Sequence, residues 1–119
     1  MAYHNDLGKI GEQLAVDFLE SKGYEILSRN FIFQKAEIDI IAKYGNMMIC
    51  VEVKTRNSEF FGDPQEFVTQ GKIKNLVKAM DAFIIENDIS LESRFDIIAV
   101  LKNKKIEQLT HYENAFYYF

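Results

Sequence analysis

Two strand-forming runs, 36–43 and 47–56, flank the turn signal Tyr44-Gly45-Asn46, and charged side chains recur on one face of each run. Such a pair reads as a β-hairpin. Alternate side chains of a strand share a face. Glu37 and Asp39 therefore point one way from the first strand, and Glu52 and Lys54 share a face of the second. The remaining positions are apolar: Ile38, Ile40 and Ala42 on one strand, Ile49, Val51 and Val53 on the other. Three carboxylates and an ammonium stand where a half-buried sheet would carry Val, Ile or Leu, which costs free energy unless they are paired or bound to something. Two readings are open on spacing alone. One is a site for a divalent metal with a lysine beside it. The other is a cross-strand ladder of salt bridges on the exposed face of a one-sided sheet.

The flanking sequence supplies the rest of a domain. Residues Asp6 to Lys22 carry Leu7, Ile10, Leu14, Phe18 and Leu19 at helical spacing, with Asn5 or Asp6 as cap and Gly23 as stop. Strand character runs from Tyr24 to Phe33. After the hairpin comes a loop, 57–66, punctuated by Gly62-Asp63-Pro64. A second helix is expected over Thr69 to Glu86, with Ile73, Leu76, Val77, Met80, Phe83 and Ile84 on one face. Phe95 to Leu101 reads as a strong strand, and Ile106 to Tyr112 as a weaker one behind a lysine-rich turn. The order α-β-β-β-α-β-β predicts an α/β domain, a mixed sheet with helices packed on it.

Composition bounds the function. The chain has 119 residues, enough for one domain with a real core, and 48% of them are hydrophobic. Its longest apolar run, Met47 to Val51, is far shorter than a membrane span, so no membrane partner is expected. The single cysteine, Cys50, forms no internal disulfide, and the N-terminus has no apolar leader run. Both suit a cytoplasmic setting. A net charge of −4 argues against a general nucleic-acid coat, since phosphate binding draws on Lys and Arg. It leaves room for a nuclease, because several acids could serve as ligands while lysines cluster at 72, 74 and 78 and at 102, 104 and 105. Each lysine cluster alone also reads as solvated surface.

The metal reading has a definite chemistry. Phosphodiester hydrolysis needs stabilised phosphoryl oxygens and an activated water, and Mg²⁺ (or Mn²⁺) supplies both. Mg²⁺ takes oxygen ligands and keeps waters, so one or two carboxylates suffice. Asp39 and Glu52 are the expected ligands, with the Val53 carbonyl as a third. Lys54 would orient or deprotonate the water, or hold a phosphate oxygen. Glu12, at the flank of the first helix's apolar stripe, is placed to reach the sheet edge. Lys72, at the flank of the second, is placed to neutralise substrate phosphate. Arg29 and Arg56 are candidates to pair with the acids or meet phosphate, and Glu37 is a secondary, substrate-side group. Phe60 and Phe61 are candidates for a flap. His4 and His111 lack ligand spacing and read as surface residues. Cys50 reads as a small apolar strand residue. The aromatic tail, 116–119, reads either as a segment docked on the core or as a dimer contact.

These pieces match a family in order. Gly11-Glu12, Gly23-Tyr24, Arg29-Asn30, Glu37-Ile38-Asp39, the run Val51 to Arg56, Phe61-Gly62, Val68-Thr69 with Lys72, and Arg94-Phe95-Asp96 together resemble the YraN-like family of uncharacterised bacterial proteins, over nearly the whole chain. One departure is Ala36, where the family pattern has a glycine that would permit a bulge. The family in turn looks like a branch of the restriction-endonuclease-like, PD-(D/E)XK superfamily, similar in layout to archaeal Holliday-junction resolvases. That resemblance implies an α-β-β-β-α-β core. Asp39 would take the motif's Asp place, Ile38 that of its Pro, Glu52 and Lys54 the E-x-K places, and Glu12 the acid of the first helix. It also implies DNA as partner, branched or single-stranded forms among its substrates, and a homodimer as one arrangement. The leading expectation is a divalent-metal-dependent nuclease. The alternatives are a non-catalytic nucleic-acid- or protein-binding module that retains the fold, and a structural protein whose charges form a ladder.

Overall fold

A computed structural model describes residues 2–58 and 68–116, with side chains described from residue 6 onward. Seven elements follow one another: α1 (Ala2–Ser21), β1 (Glu25–Phe33), β2 (Ala36–Tyr44), β3 (Met47–Arg56), α2 (Gln70–Glu86), β4 (Glu92–Lys102) and β5 (Glu107–Tyr112). The strands form one five-stranded sheet in the order β1-β2-β3-β4-β5. All neighbours are antiparallel except β3 and β4, which run parallel and are joined by the α2 crossover. This is the mixed α/β sheet with the α-β-β-β-α-β core that the sequence predicts.

Both faces of the sheet are covered, which corrects the one-sided alternative. Ile49 and Val51 of β3 pack with Ala15, Val16 and Leu19 of α1, together with Ile98 and Val100 of β4. Met48 and Cys50, which point the other way, pack with Ile73, Leu76, Met80 and Phe83 of α2. The central strands β3 and β4 are consequently apolar on both sides, as a parallel pair between helices requires. Each fully buried Ile or Val here contributes roughly 1.5–3 kcal/mol of transfer free energy.

The helices differ from expectation in detail. The α1 helix begins at Ala2, so Asn5 and Asp6 lie inside it and not at its start. Its buried stripe is Gly11, Ala15, Val16 and Leu19, whereas Ile10 is 42% exposed. Small residues let the helix approach closely, and this rotates the stripe by one position. Gly11 shows how close: a Cβ built there would lie 1.9 Å from Oγ1 of Thr55 on β3. The stop at Gly23 is as predicted. Its φ of +92° is a glycine conformation, and the Tyr24 and Gly23 amides donate to the carbonyls of Leu19 and Glu20. At α2, Thr69 is the cap, and its side chain accepts from the Lys72 amide.

The β1–β2 ribbon changes face halfway. Phe31 and Ile38 pair and lie on the α2 side, whereas Arg29 and Ile40, the next described pair, lie on the α1 side. Ile38 therefore does not share a face with Ile40 and Ala42, contrary to simple alternation. Between the pairs sits Asn30 at φ +55°, a left-handed conformation that Asn tolerates. Ala36, in the place of the expected glycine, has no positive φ; the left-handed residues of this ribbon are Asn30 and Gln34.

A buried polar knot holds the opposite end of the α1 face. Asp96, fully buried, accepts from Arg94 through both oxygens (2.9 and 2.8 Å), from the Asn114 amide (2.9 Å), and meets His111 Nε2 at 2.8 Å. Arg94 also donates to the Tyr24 hydroxyl at 2.7 Å, and Tyr24 stacks on Tyr44 with centroids 4.2 Å apart. His111 is thus a nearly buried partner of an aspartate, not the surface residue its sequence context suggests. Phe116 is buried against Phe95, which bears out docking for that residue. The loop with Phe60 and Phe61, the imidazole of His4, and residues 117–119 lie outside what is described.

Burial alone would raise the Asp96 carboxyl, but the bonds from His111, Arg94 and the Asn114 amide outweigh it and hold the group below its usual range. A depressed folded-state pKa gives stability that is present above the unfolded value, about 3.9, and is lost as pH falls through the folded value. Asp96→Asn is expected to cost about 3–5 kcal/mol at neutral pH by leaving Arg94 buried without its partner. Urea titrations from neutral pH downward should show that gap closing in the acid limb. A pH-independent gap would mean the carboxylate charge is not what holds the knot.

Candidate functional site

The site lies where β2 and β3 part. The β2 strand pairs with β1 along residues 36–43, but with β3 only from Ile40 onward, where Ile40 faces Val51. One step beyond this last ladder pair stand Asp39 and Glu52. Parting strands leave the Val53 amide without a backbone acceptor from β2. Asp39 supplies one: its Oδ2 accepts from Val53 N at 2.8 Å. A side chain thus replaces a rung of the ladder.

Burial and charge crowd this corner. Glu52 is 5% exposed, and its Oε2 pairs with the Lys72 ammonium from the first turn of α2. Burial first, then the Glu52 charge and more weakly Glu12, push the Asp39 carboxyl up to about 7, against the opposing pull of the Val53 amide and Lys72. Glu12 is itself raised, chiefly by burial and also by Glu37 and Glu52. Lys54 is lowered, first by burial and then by the neighbouring cations Arg56 and Lys72. Glu52 therefore acts on the charge of Asp39, Lys54 and Glu12, and the fold brings the four predicted catalytic positions to the place where β2 and β3 part.

The close seat of α1 delivers Glu12. Gly11 lies against Thr55, one residue past Lys54, so the next side chain of the helix arrives beside the parting strands. There Asn30, with its amide nitrogen turned toward the acids, donates to Glu12 Oε1 and Glu37 Oε2 at 3.3 Å each. Asn30 is a site residue that sequence reasoning missed, although an Asn inside a strand-forming run was a signal. Glu37 stands in this outer layer, bonded to Asn30.

The remaining candidates fall at the rim. Arg29 donates to Gln13 of α1 at 3.0 Å and lies near enough to Glu12 to act on its charge. Arg56 is exposed, and its guanidinium donates to the Thr55 carbonyl. Lys72 is held by Glu52 instead of standing free. Val53 takes part through its amide. The Glu52–Lys54 pairing of the ladder alternative is replaced by Glu52–Lys72. Among the described residues no group of three or more His, Cys, Asp and Glu is gathered tightly enough to enclose a metal. A buried two-carboxylate, all-oxygen corner fits an ion that keeps water ligands, as Mg²⁺ and Mn²⁺ do, and lacks the nitrogen or sulfur donors of a zinc site.

The seat of α1 and the charge of the corner can each be tested by substitution. Gly11→Ala should destabilise the protein by about 1–3 kcal/mol through overpacking, and a Thr55→Ala change in the same chain should recover most of it. Denaturant midpoints of the four proteins of that cycle check this. Asp39→Asn should stabilise the metal-free protein. A carboxyl raised in the folded state opposes folding increasingly from about pH 3.9 to about 7 and by a constant amount above. The gain, on the order of a few kcal/mol, should be absent at pH 4 and full at pH 8, measured in chelator.

Known proteins are similar to this chain over most or all of its length. The sequence profile of Uncharacterised protein family UPF0102 matches residues 11–100, which span both strands of the site and Gly11-Glu12. A UPF0102 protein of Flavobacterium psychrophilum is 59% identical over 119 residues, covering the whole of both chains. One from Christiangramia forsetii is 53% identical over the same length, again covering both chains fully. One from Thermodesulfovibrio yellowstonii is 46% identical over 112 residues, 94% of this chain and 96% of its own. The chain belongs to this uncharacterised family, the one its ordered motifs resemble.

Proposed function

We propose that this protein is a divalent-metal-dependent nuclease acting on DNA phosphodiester bonds. The observation that carries the reading is the meeting of Asp39, Glu52 and Lys54 at the parting of β2 and β3, with Glu12 beside them. Asp39 and Glu52 would hold Mg²⁺ or Mn²⁺, with the Val53 carbonyl as a further oxygen donor. Such an ion, when bound, supplies charge stabilisation at the phosphoryl oxygens and an acidified water. Lys54 would orient that water or take its proton, and its lowered pKa favours the second role. Lys72 would leave Glu52 for a substrate phosphate. Arg29 and Arg56 line the rim as further cations, and Glu37 holds Asn30 in place.

One observation favours a second reading. The Lys72 ammonium already satisfies Glu52 without a metal. A non-catalytic binding module retaining the nuclease fold would keep that pair permanently closed. Calorimetry separates the two. The nuclease reading expects Mg²⁺ or Mn²⁺ binding that Glu52→Gln removes, and the binding-module reading expects none.

Activity tests the leading reading directly. Single-stranded, branched and duplex DNA incubated with Mn²⁺ or Mg²⁺ should be cleaved by the wild type. Glu52→Gln should abolish the metal-stimulated rate with an unchanged circular dichroism spectrum, and Lys54→Met should lower it about 10²–10⁴-fold. Intact DNA under both metals with all three substrates would overturn the reading.

A further inference from the structure

Two adjoining cavities run between the β1–β2 turn and α2. The first, about 210 Å³, is lined by Phe33, Lys35, Asn75 and Lys78 among others. The second, about 450 Å³, is lined by Lys35, Glu37, Asn75 and Lys72 among others. They share Lys35, Ala36 and Asn75, so they form one trough, and it ends at Glu37 and Lys72, the rim of the site described above. Phe33 pairs with Ala36 across the two-residue turn Gln34-Lys35, with Gln34 at φ +56°. Lys35 thus stands at the tip of a tight turn. Opposite it, Gly71, Asn75 and Lys78 recur at helical spacing on α2 and form one ridge. Lysines therefore stand on both walls: Lys35 on the turn, Lys72 and Lys78 on the helix. Among the described lining residues, Glu37 is the only carboxylate.

We propose that this trough binds a single-stranded nucleic-acid segment, with its backbone between Lys35 and Lys78 and a base against Phe33. A cationic groove combined with an aromatic face is the arrangement that recognises single strands. Cavities of this size hold a nucleotide-scale ligand; a duplex is too thick to enter them. The free faces of Lys35, Asn75 and Lys78 are exposed, and none has another bond or ion pair that the trough would have to break among those described. The trough supplies local positive charge on a chain whose net charge is −4, which accounts for how an acidic protein would hold a polyanion. The proposal rests on the nuclease reading and deepens it, because the trough delivers a strand toward Asp39 and Glu52. Binding itself needs no metal.

The test is fluorescence anisotropy of the full chain with fluorescein-labelled oligo-dT and with a labelled duplex, in EDTA. Oligo-dT is expected to bind more tightly than duplex. Lys35→Glu with Lys78→Glu should weaken oligo-dT binding at least about tenfold. It should also lower the slope of log affinity against log salt by about 1.4, or about 0.7 for each phosphate that a lysine no longer neutralises. Phe33→Leu should weaken binding with the salt slope unchanged, and melting curves confirm that the variants fold. Absence of oligo-dT binding, equal affinity for duplex, or unchanged binding by the lysine double variant would overturn the proposal. Since no cleavage occurs in EDTA, failure here leaves the metal-site reading standing. Failed cleavage with intact oligo-dT binding would remove only the latter.

Discussion

The structure turns on one hydrogen bond, from the Val53 amide to the Asp39 carboxylate. Strands β2 and β3 are a regular antiparallel pair up to Ile40 and Val51, and then they separate. Separation inside a sheet exposes amides that have no rung to join, and a buried amide without an acceptor costs about 1–3 kcal/mol. Asp39 removes that cost and in doing so is drawn in beside Glu52. The opening of the sheet and the pairing of the acids are therefore one event. The face change of the β1–β2 ribbon at Asn30 belongs to it as well, because it carries Ile38 to the α2 side while Ile40 stays under α1.

Two aspartates in the same sheet show what burial does under opposite provision. Asp96 has Arg94, His111 and an amide around it, and its carboxyl is held low. Asp39 has one amide and a carboxylate neighbour, and its carboxyl is pushed up to about 7. The first arrangement is complete and binds together β4, β5, the turn at Asn114 and, through Arg94, Tyr24 ahead of β1. The second gives Asp39 a single amide donor and a like charge at its side, which Lys72 only partly offsets. The difference separates a carboxylate surrounded by donors from one with a like charge beside it, and it rests on geometry that neighbouring residues impose.

Much of this was legible in the sequence because period and punctuation carry it. The hairpin at 36–56, the Gly23 stop, the α2 face and the order of elements follow from side-chain alternation, helical spacing and turn residues. Asp39, Glu52 and Lys54 could be singled out because charges recur on one face of strand-forming runs, and Glu12 because it flanks the apolar stripe of its helix. Three things were not legible. The shift of the α1 stripe onto Gly11 and Ala15 depends on how closely a helix seats against Thr55, which no periodicity reports. The face change at Asn30 needs a left-handed residue within a strand, and alternation assumes there is none. The burial of His111 depends on Asp96, which is distant along the chain but adjacent across the β4–β5 pair.

The parallel pairing of β3 with β4 has a consequence for how the site is assembled. Its partners, from Met47 against Glu92 to Arg56 against Leu101, lie on either side of the α2 crossover, whereas β1, β2 and β3 are joined by short turns. Loop-closure entropy makes the meander the local, quickly closed part and the crossover pair the slow one. Asp39 and Glu52 both belong to the meander, and Lys72 belongs to the crossover helix. By loop closure alone the acids would become neighbours before their ammonium arrives, and the corner would be most negative while the chain is still open to solvent ions.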